Sequence, residues 1–235
     1  MKNHLNVVAS SYDKAIELGK KGIDLYKDLP DHLKDEPDYH LFEKAGAEGL
    51  DSSSGDKRIK EYLSPVQNMY FIDLGCCLNL MFNGYAEWPS IYHGVDISSE
   101  TIKLLKEYSA KNNLNVGELF CGSIHKTPFD ANYFDFGACI GVLEYFEKDF
   151  VSEALAEAYR ILKPGGKFVL DIPNNNGKMR RFMNLVELSM GRPCRFDMLP
   201  REFEEILLKF FEIEKSEEVD AVAMILYFLK RRKKS

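Results

Sequence analysis

From residue 69 onward the chain alternates short, nearly continuous apolar runs with stretches in which apolar residues recur every three or four positions. The runs over 69–74, 91–96, 116–120, 133–139 and 167–172 are too short for buried helices and predict strands. Between them, residues 149–162 place Val151, Leu155, Ala158 and Leu162 on one helical stripe. Ile102, Leu105 and Tyr108 share another, behind a cap supplied by Ser98 or Ser99. Lys163-Pro164-Gly165-Gly166 stops the later helix, since proline cannot continue it and glycine accepts the left-handed conformation that ends it. Strand and helix in alternation predict an α/β fold, a parallel sheet covered by helices on both faces.

The rhythm is interrupted by an excursion over 174–201, then resumes with a helix over 202–210. Two last apolar runs, 211–216 and 221–229, are joined by so short a turn that they must pair antiparallel. Residues 1–65 are different: charged, poor in strand-like runs, with helices predicted over 12–28 and 56–63 and a small, polar, mobile loop over 45–55. They offer too few apolar residues for a core of their own. The division expected is an N-terminal helical cap, 1–65, on a domain spanning 66–235 in which 174–201 is a lid-like insertion.

Composition narrows the function without choosing it. The net charge is −6, and without the five basic residues Lys230 to Lys234 it is −11. A body that acidic is not a general nucleic-acid binder; the tail is either solvated or a contact for RNA or anionic lipid. The best apolar run, 221–229, is too short to span a bilayer, and the first residues lack the apolar stretch of a signal peptide. Five cysteines, an odd number with two adjacent, fit a reducing cytoplasm better than a disulfide framework. Cys76-Cys77 has no second pair and the five histidines have no helical ligand spacing, so no metal is expected. The oligomeric state leaves no mark on the sequence.

The chemistry begins where the first two strands end. Asp73 and Asp96 stand 23 positions apart, with Gly75 turning the chain just after the first. An acid at the tip of the second strand is placed to accept hydrogen bonds from two ribose hydroxyls. The G-x-G-x-x-G turn of a dinucleotide site is missing, which discourages a nicotinamide-dependent oxidoreductase.

Five motifs follow in order: Phe71-Ile72-Asp73-Leu74-Gly75-Cys76, Gly94-Val95-Asp96-Ile97-Ser98, Gly122-Ser123 with Thr127-Pro128-Phe129, Ile140-Gly141-Val142-Leu143-Glu144-Tyr145, and Leu162-Lys163-Pro164-Gly165-Gly166. In this order and on these strands they resemble class I S-adenosylmethionine-dependent methyltransferases. The resemblance implies a Rossmann-like seven-stranded methyltransferase sheet with an antiparallel terminal strand. It also implies S-adenosylmethionine lying across the carboxyl ends of the first four strands. Carried over by position, Asp73 belongs to the cofactor-binding set, with Gly75 and Cys77 along the methionine moiety and Asp96 on the ribose. Ile97 packs on the adenine, Ser123 and Ile124 meet its edge, and the Ile140 carbonyl faces the methionine ammonium. Ala9-Ser10-Ser11-Tyr12-Asp13 is also similar to family members, with Tyr12 closing over the cofactor.

Methyl transfer asks chiefly for alignment, plus a base where the nucleophile must lose a proton. Glu144 and Tyr145 are the acid or base candidates, against the plainer reading in which Tyr145 packs and Glu144 is solvated. In the excursion, Arg180, Arg181, Arg192 and Arg195 either meet an acidic substrate beneath an amphipathic lid or form a solvated basic face. The family pattern D-x-G-x-G-x-G is altered here, with Cys77 and Asn79 at the second and third glycines and Ser123 in place of an adenine-reading acid. The expected function is methyl transfer to a small-molecule acceptor; the alternative is a non-catalytic binding or scaffold protein that keeps the fold.

Overall fold

A computed structural model describes residues 2–47 and 53–233. Strands β1 (Tyr70–Leu74), β2 (Ile91–Asp96), β3 (Val116–Cys121), β4 (Phe134–Cys139), β5 (Leu162–Pro173), β6 (Phe211–Val219) and β7 (Met224–Arg231) form one sheet. Their order is β3-β2-β1-β4-β5-β7-β6. The first five are parallel, and β7 runs antiparallel to both β5 and β6. This is the seven-stranded α/β sheet expected, including the terminal hairpin. β5 is longer than its apolar run because Leu162 already pairs with Phe134. The register then slips until Lys167 meets Phe136, so the proline-glycine turn is a bulge within the strand.

On one face, α4 (Ser53–Leu63), α5 (Asn79–Phe82) and α6 (Ser99–Lys111) bury Ile59, Leu63, Leu80, Ile102 and Leu105 against Phe71, Phe136 and Val169. On the other, α7 (Lys148–Ile161) and α9 (Pro200–Leu207) bury Val151, Leu155, Phe203 and Ile206 against Ile72, Phe168 and Leu170. Each such side chain taken from water contributes about 1.5–3 kcal/mol, so the two faces fix the strand ends on which the site is built. Ser98 caps α6, its hydroxyl accepting from the Thr101 amide at 3.0 Å.

The amino-terminal segment departs from expectation. Helix α1 (Lys2–Gly19) begins at Lys2, not at residue 12, because Leu5 and Val8 extend its apolar face; Val8 and Ile16 are both buried. It stops at Gly19, and Gly22, at φ +81°, turns the chain that was expected to continue as helix. Residues 45–55, expected as a loop, are helical at both described ends: α3 (Tyr39–Ala47) reaches Ala47 and α4 starts at Ser53. The centre of that stretch lies outside the described residues. α4 belongs to the sheet layer, with Tyr62 stacked edge-on against Phe228. Short of apolar residues, the chain before it borrows a partner. Leu29, Leu33, Tyr39 and Phe42 form a small core with Met179, Phe182 and Val186 on and beside α8 (Arg180–Ser189).

The basic tail is also partly structural. Lys230 and Arg231 end β7, and Arg231 is buried, 4.2 Å from the Tyr159 ring centre and donating to Asn132 at 2.8 Å. Residues 234–235 lie outside the described set.

Candidate active site

The turn after β1 is shaped by what surrounds it. Gly75 takes φ +79°, and a Cβ there would run into the Val142 side chain, so only glycine fits. Cys77 takes φ +38°, a left-handed conformation that non-glycine residues adopt at a cost. Its amide donates to one oxygen of Asp96 at 2.8 Å, and the Ser98 amide donates to the other at 2.8 Å. Backbone amides thus hold both oxygens of the carboxylate, with Ile97 contributing a further one. Burial outweighs those amides and pushes the Asp96 carboxyl up to about 6.

Asp73 does not line the cavity. One of its oxygens accepts from the Tyr92 hydroxyl at 2.8 Å and from the Asn79 amide at 3.1 Å; the other is buried without a partner. Burial raises this carboxyl to about 7. The Asn79 carbonyl in turn accepts from Asn83 at 3.0 Å. The residue at the third glycine position therefore ties the turn to the strand beneath it, and Asp73 anchors the loop from below.

All the other expected residues meet at one cavity of about 1260 Å³: Tyr12, Gly75, Cys77, Asp96, Ile97, Ser123, Ile124, Ile140, Glu144 and Tyr145. Tyr12 comes from α1, Gly75 and Cys77 from the β1 turn, Asp96 and Ile97 from the end of β2, and Ser123 and Ile124 from beyond β3. Ser123 is paired with His125, hydroxyl to Nδ1 at 2.6 Å.

One end of the cavity is a polar cluster. The Tyr145 hydroxyl donates to Glu187 at 2.9 Å and lies 3.2 Å from the Tyr12 hydroxyl. Tyr26 donates to the other Glu187 oxygen at 2.9 Å. Arg192 stands over the Tyr12 ring, 3.6 Å from Glu187 and donating to Ser11 at 3.2 Å. Burial and the neighbouring acids push the Tyr145 phenol well above its ordinary range, so it stays protonated near neutral pH. Glu144 lies 3.8 Å from Arg180; burial, reinforced by Glu187 and Asp171, raises its carboxyl.

These contacts correct both expectations for the excursion. Arg180 and Arg192 are buried and offset Glu144 and Glu187, while Arg181 and Arg195 are surface residues paired with Glu36 and Glu147. The arginines neither form one solvated face nor wait unpaired for an acidic ligand. Glu144 is likewise not solvated. The sequence reading missed Glu187, Tyr26 and Asp171. Asp171 left a signal, a lone acid inside an otherwise apolar buried strand, where an unpaired charge is rarely placed. Glu187 and Tyr26 left none, since their convergence is tertiary.

Residues 72–170 match the model of a methyltransferase domain family. A ubiquinone biosynthesis O-methyltransferase of Coxiella burnetii is 26% identical over 136 residues, 58% of this chain and 55% of that protein. A sterol 4-C-methyltransferase of Caenorhabditis elegans is 25% identical over 145 residues, 57% of this chain and 42% of that protein. The chain spans about half the length of the curated relatives it matches. The structure of geranyl diphosphate C-methyltransferase from Streptomyces coelicolor A3(2), solved with Mg²⁺, geranyl-S-thiolodiphosphate and S-adenosyl-L-homocysteine, superposes with a TM-score of 0.64. It is 14% identical and covers 84% of this chain and 82% of its own, a likeness of fold. Among the described residues no helix is long and apolar enough to cross a membrane.

Proposed function

We propose that this chain, a class I S-adenosylmethionine-dependent methyltransferase by domain match and fold, transfers the sulfonium methyl to a small-molecule acceptor held beside the cofactor. The observation that carries this reading is the convergence on one cavity of residues from α1, the β1 turn, β2, and the segments after β3 and β4. The residues suit the group. Asp96 offers two carboxylate oxygens for ribose hydroxyls, and Ile97 and Ile124 offer apolar faces for adenine. Ser123 offers a hydroxyl at its edge, and the Gly75–Cys77 turn and Ile140 carbonyl bound the amino-acid portion. Tyr12 closes over it. S-adenosylmethionine supplies an activated methyl, so the protein's part is alignment and the handling of any proton. The cavity exceeds the roughly 1,000 Å³ upper range of single-ligand pockets, which supports room for an acceptor as well. Glu144 and Tyr145 wall the acceptor end.

A binding or scaffold role is not favoured by relatives named for methyl transfer. The test is calorimetric titration with S-adenosylhomocysteine. Saturable binding that weakens about tenfold or more in Asp96→Ala is expected, from loss of charge-assisted hydrogen bonds. No binding by the unaltered chain would refute the reading.

A further inference from the structure

Three carboxylates face the acceptor end, and their partners differ. Glu187 is saturated by two tyrosine hydroxyls and Arg192. Glu144 has Arg180 at 3.8 Å and the Cys194 thiol at 3.7 Å. Asp171, 7% exposed on β5 and lining the cavity, accepts the Gly141 amide at 2.7 Å and is also favoured by its own backbone amide; among the described residues no side chain donates to it and it forms no ion pair. Only one of its oxygens is thus taken by another residue, and the side chain lines the cavity. Its place is fixed by the sheet, with Leu226 of β7 opposite it and the start of the β4 turn bonded to it. That turn continues to Val142, which rests against Gly75.

Apolar side chains share the same cavity wall: Ile59, Met81, Met183, Val222, Met224 and Leu226 line it, and Leu226 is the strand partner of Asp171. A buried carboxylate with lone pairs to spare, in a cavity that also carries apolar side chains, suits an apolar body whose polar head donates a hydrogen bond.

Resting on the proposed methyl transfer, we infer that Asp171 receives the protic head of the acceptor, a hydroxyl or an amine on an apolar body, and takes its proton during transfer. As the acceptor oxygen or nitrogen forms its bond to the methyl, the carbon–sulfur bond breaks with its electron pair left on sulfur. The acceptor's proton passes to an Asp171 oxygen. Burial supports the role by raising this carboxyl to about 7, the range in which a base works best near neutral pH. The titratable groups facing it are Cys139 of β4 and Glu144 in the turn after it; β7 opposes it with Leu226, and Arg58 of α4 is bound to Glu217.

The test compares 4-pentylphenol and 4-pentylbenzylamine with 4-pentylanisole, which has the same tail and no proton to give. In calorimetry on the intact chain, either protic probe should bind about tenfold more tightly than the anisole, the scale of a hydrogen bond to a charged group. Asp171→Asn should cut that preference to about threefold or less while leaving the S-adenosylhomocysteine affinity within about twofold. In the unaltered chain the phenol preference should fall as pH drops below about 7, a measurement that stands even if the variant folds poorly. With tritiated S-adenosylmethionine, transfer to the protic probes should rise with pH through the same range and lose that limb in Asp171→Asn. Equal affinity for phenol, amine and anisole, a preference that survives Asp171→Asn, or no transfer to either protic probe overturns the inference. Failure of S-adenosylhomocysteine to bind at all instead overturns the function on which it rests.

Discussion

The Arg192 guanidinium lies 3.9 Å from the centre of the Tyr12 ring, so the segment after α8 holds down α1 through a cation on an aromatic face. The same guanidinium offsets buried Glu187. Arg192→Ala should therefore destabilise the chain by about 3–5 kcal/mol, since it leaves that carboxylate buried without its cation. Arg192→Lys keeps the charge but not the planar stacking and should lose less. Denaturant midpoints of the two variants check the order.

Cys77 holds a left-handed φ of +38° where the family pattern has glycine. Cys77→Gly should relieve that conformation and clear a side chain from the cavity wall, tightening S-adenosylhomocysteine binding by roughly threefold to tenfold. Cys77→Val, branched at Cβ, should destabilise by about 1–3 kcal/mol. Calorimetry and thermal unfolding on the pair give opposite signs if the backbone governs the effect.

Asp73 and Asp171 carry carboxyls raised to about 7 in the folded chain, against 3.8 ordinarily. The unfolded chain loses these protons first as pH rises, so stability from both groups is full below about pH 4 and is lost as pH climbs to about 7. Above that it is flat. Each contributes a few kcal/mol at most, at about 1.4 kcal/mol per unit. Unfolding free energies measured from pH 4 to 8 should show the fall, and Asp73→Asn should remove part of it.

Asn79 braces the turn by donating to Asp73 and accepting from Asn83. Asn79→Ala should cost about 1–3 kcal/mol by stripping a donor from a buried carboxylate. Restoring the family glycine at this position should not recover the loss, because the brace is a side chain. Chemical denaturation of both variants decides it.

How much of this was legible follows from where each signal lives. The sheet was readable because runs such as 167–172 and the stripe on Val151, Leu155 and Ala158 are local consequences of burial. The terminal hairpin followed from the shortness of its connection. The cavity residues came through the motif order, and Asp73 was misjudged because lining a site and anchoring it from beneath share one sequence pattern. The arginines of the 174–201 excursion were ambiguous for a different reason: Arg180 and Arg181 are neighbours, yet one is buried and the other half outside. Which of the two turns inward depends on acids brought by other elements. The first helix was placed too late because its early turns carry only a short apolar group, Leu5, Val7, Val8 and Ala9, of which Val7 is exposed.

Glu187 gathers Tyr26 from the loop after α1, Tyr145 from the turn after β4, and Arg192 from the segment after its own helix. Each of those segments is tied to the other two through the same carboxylate. The tyrosine side of the cavity is thus braced across three segments. Phe82 lines the same cavity with 71% of its surface in solvent, so the cavity reaches solvent beside it.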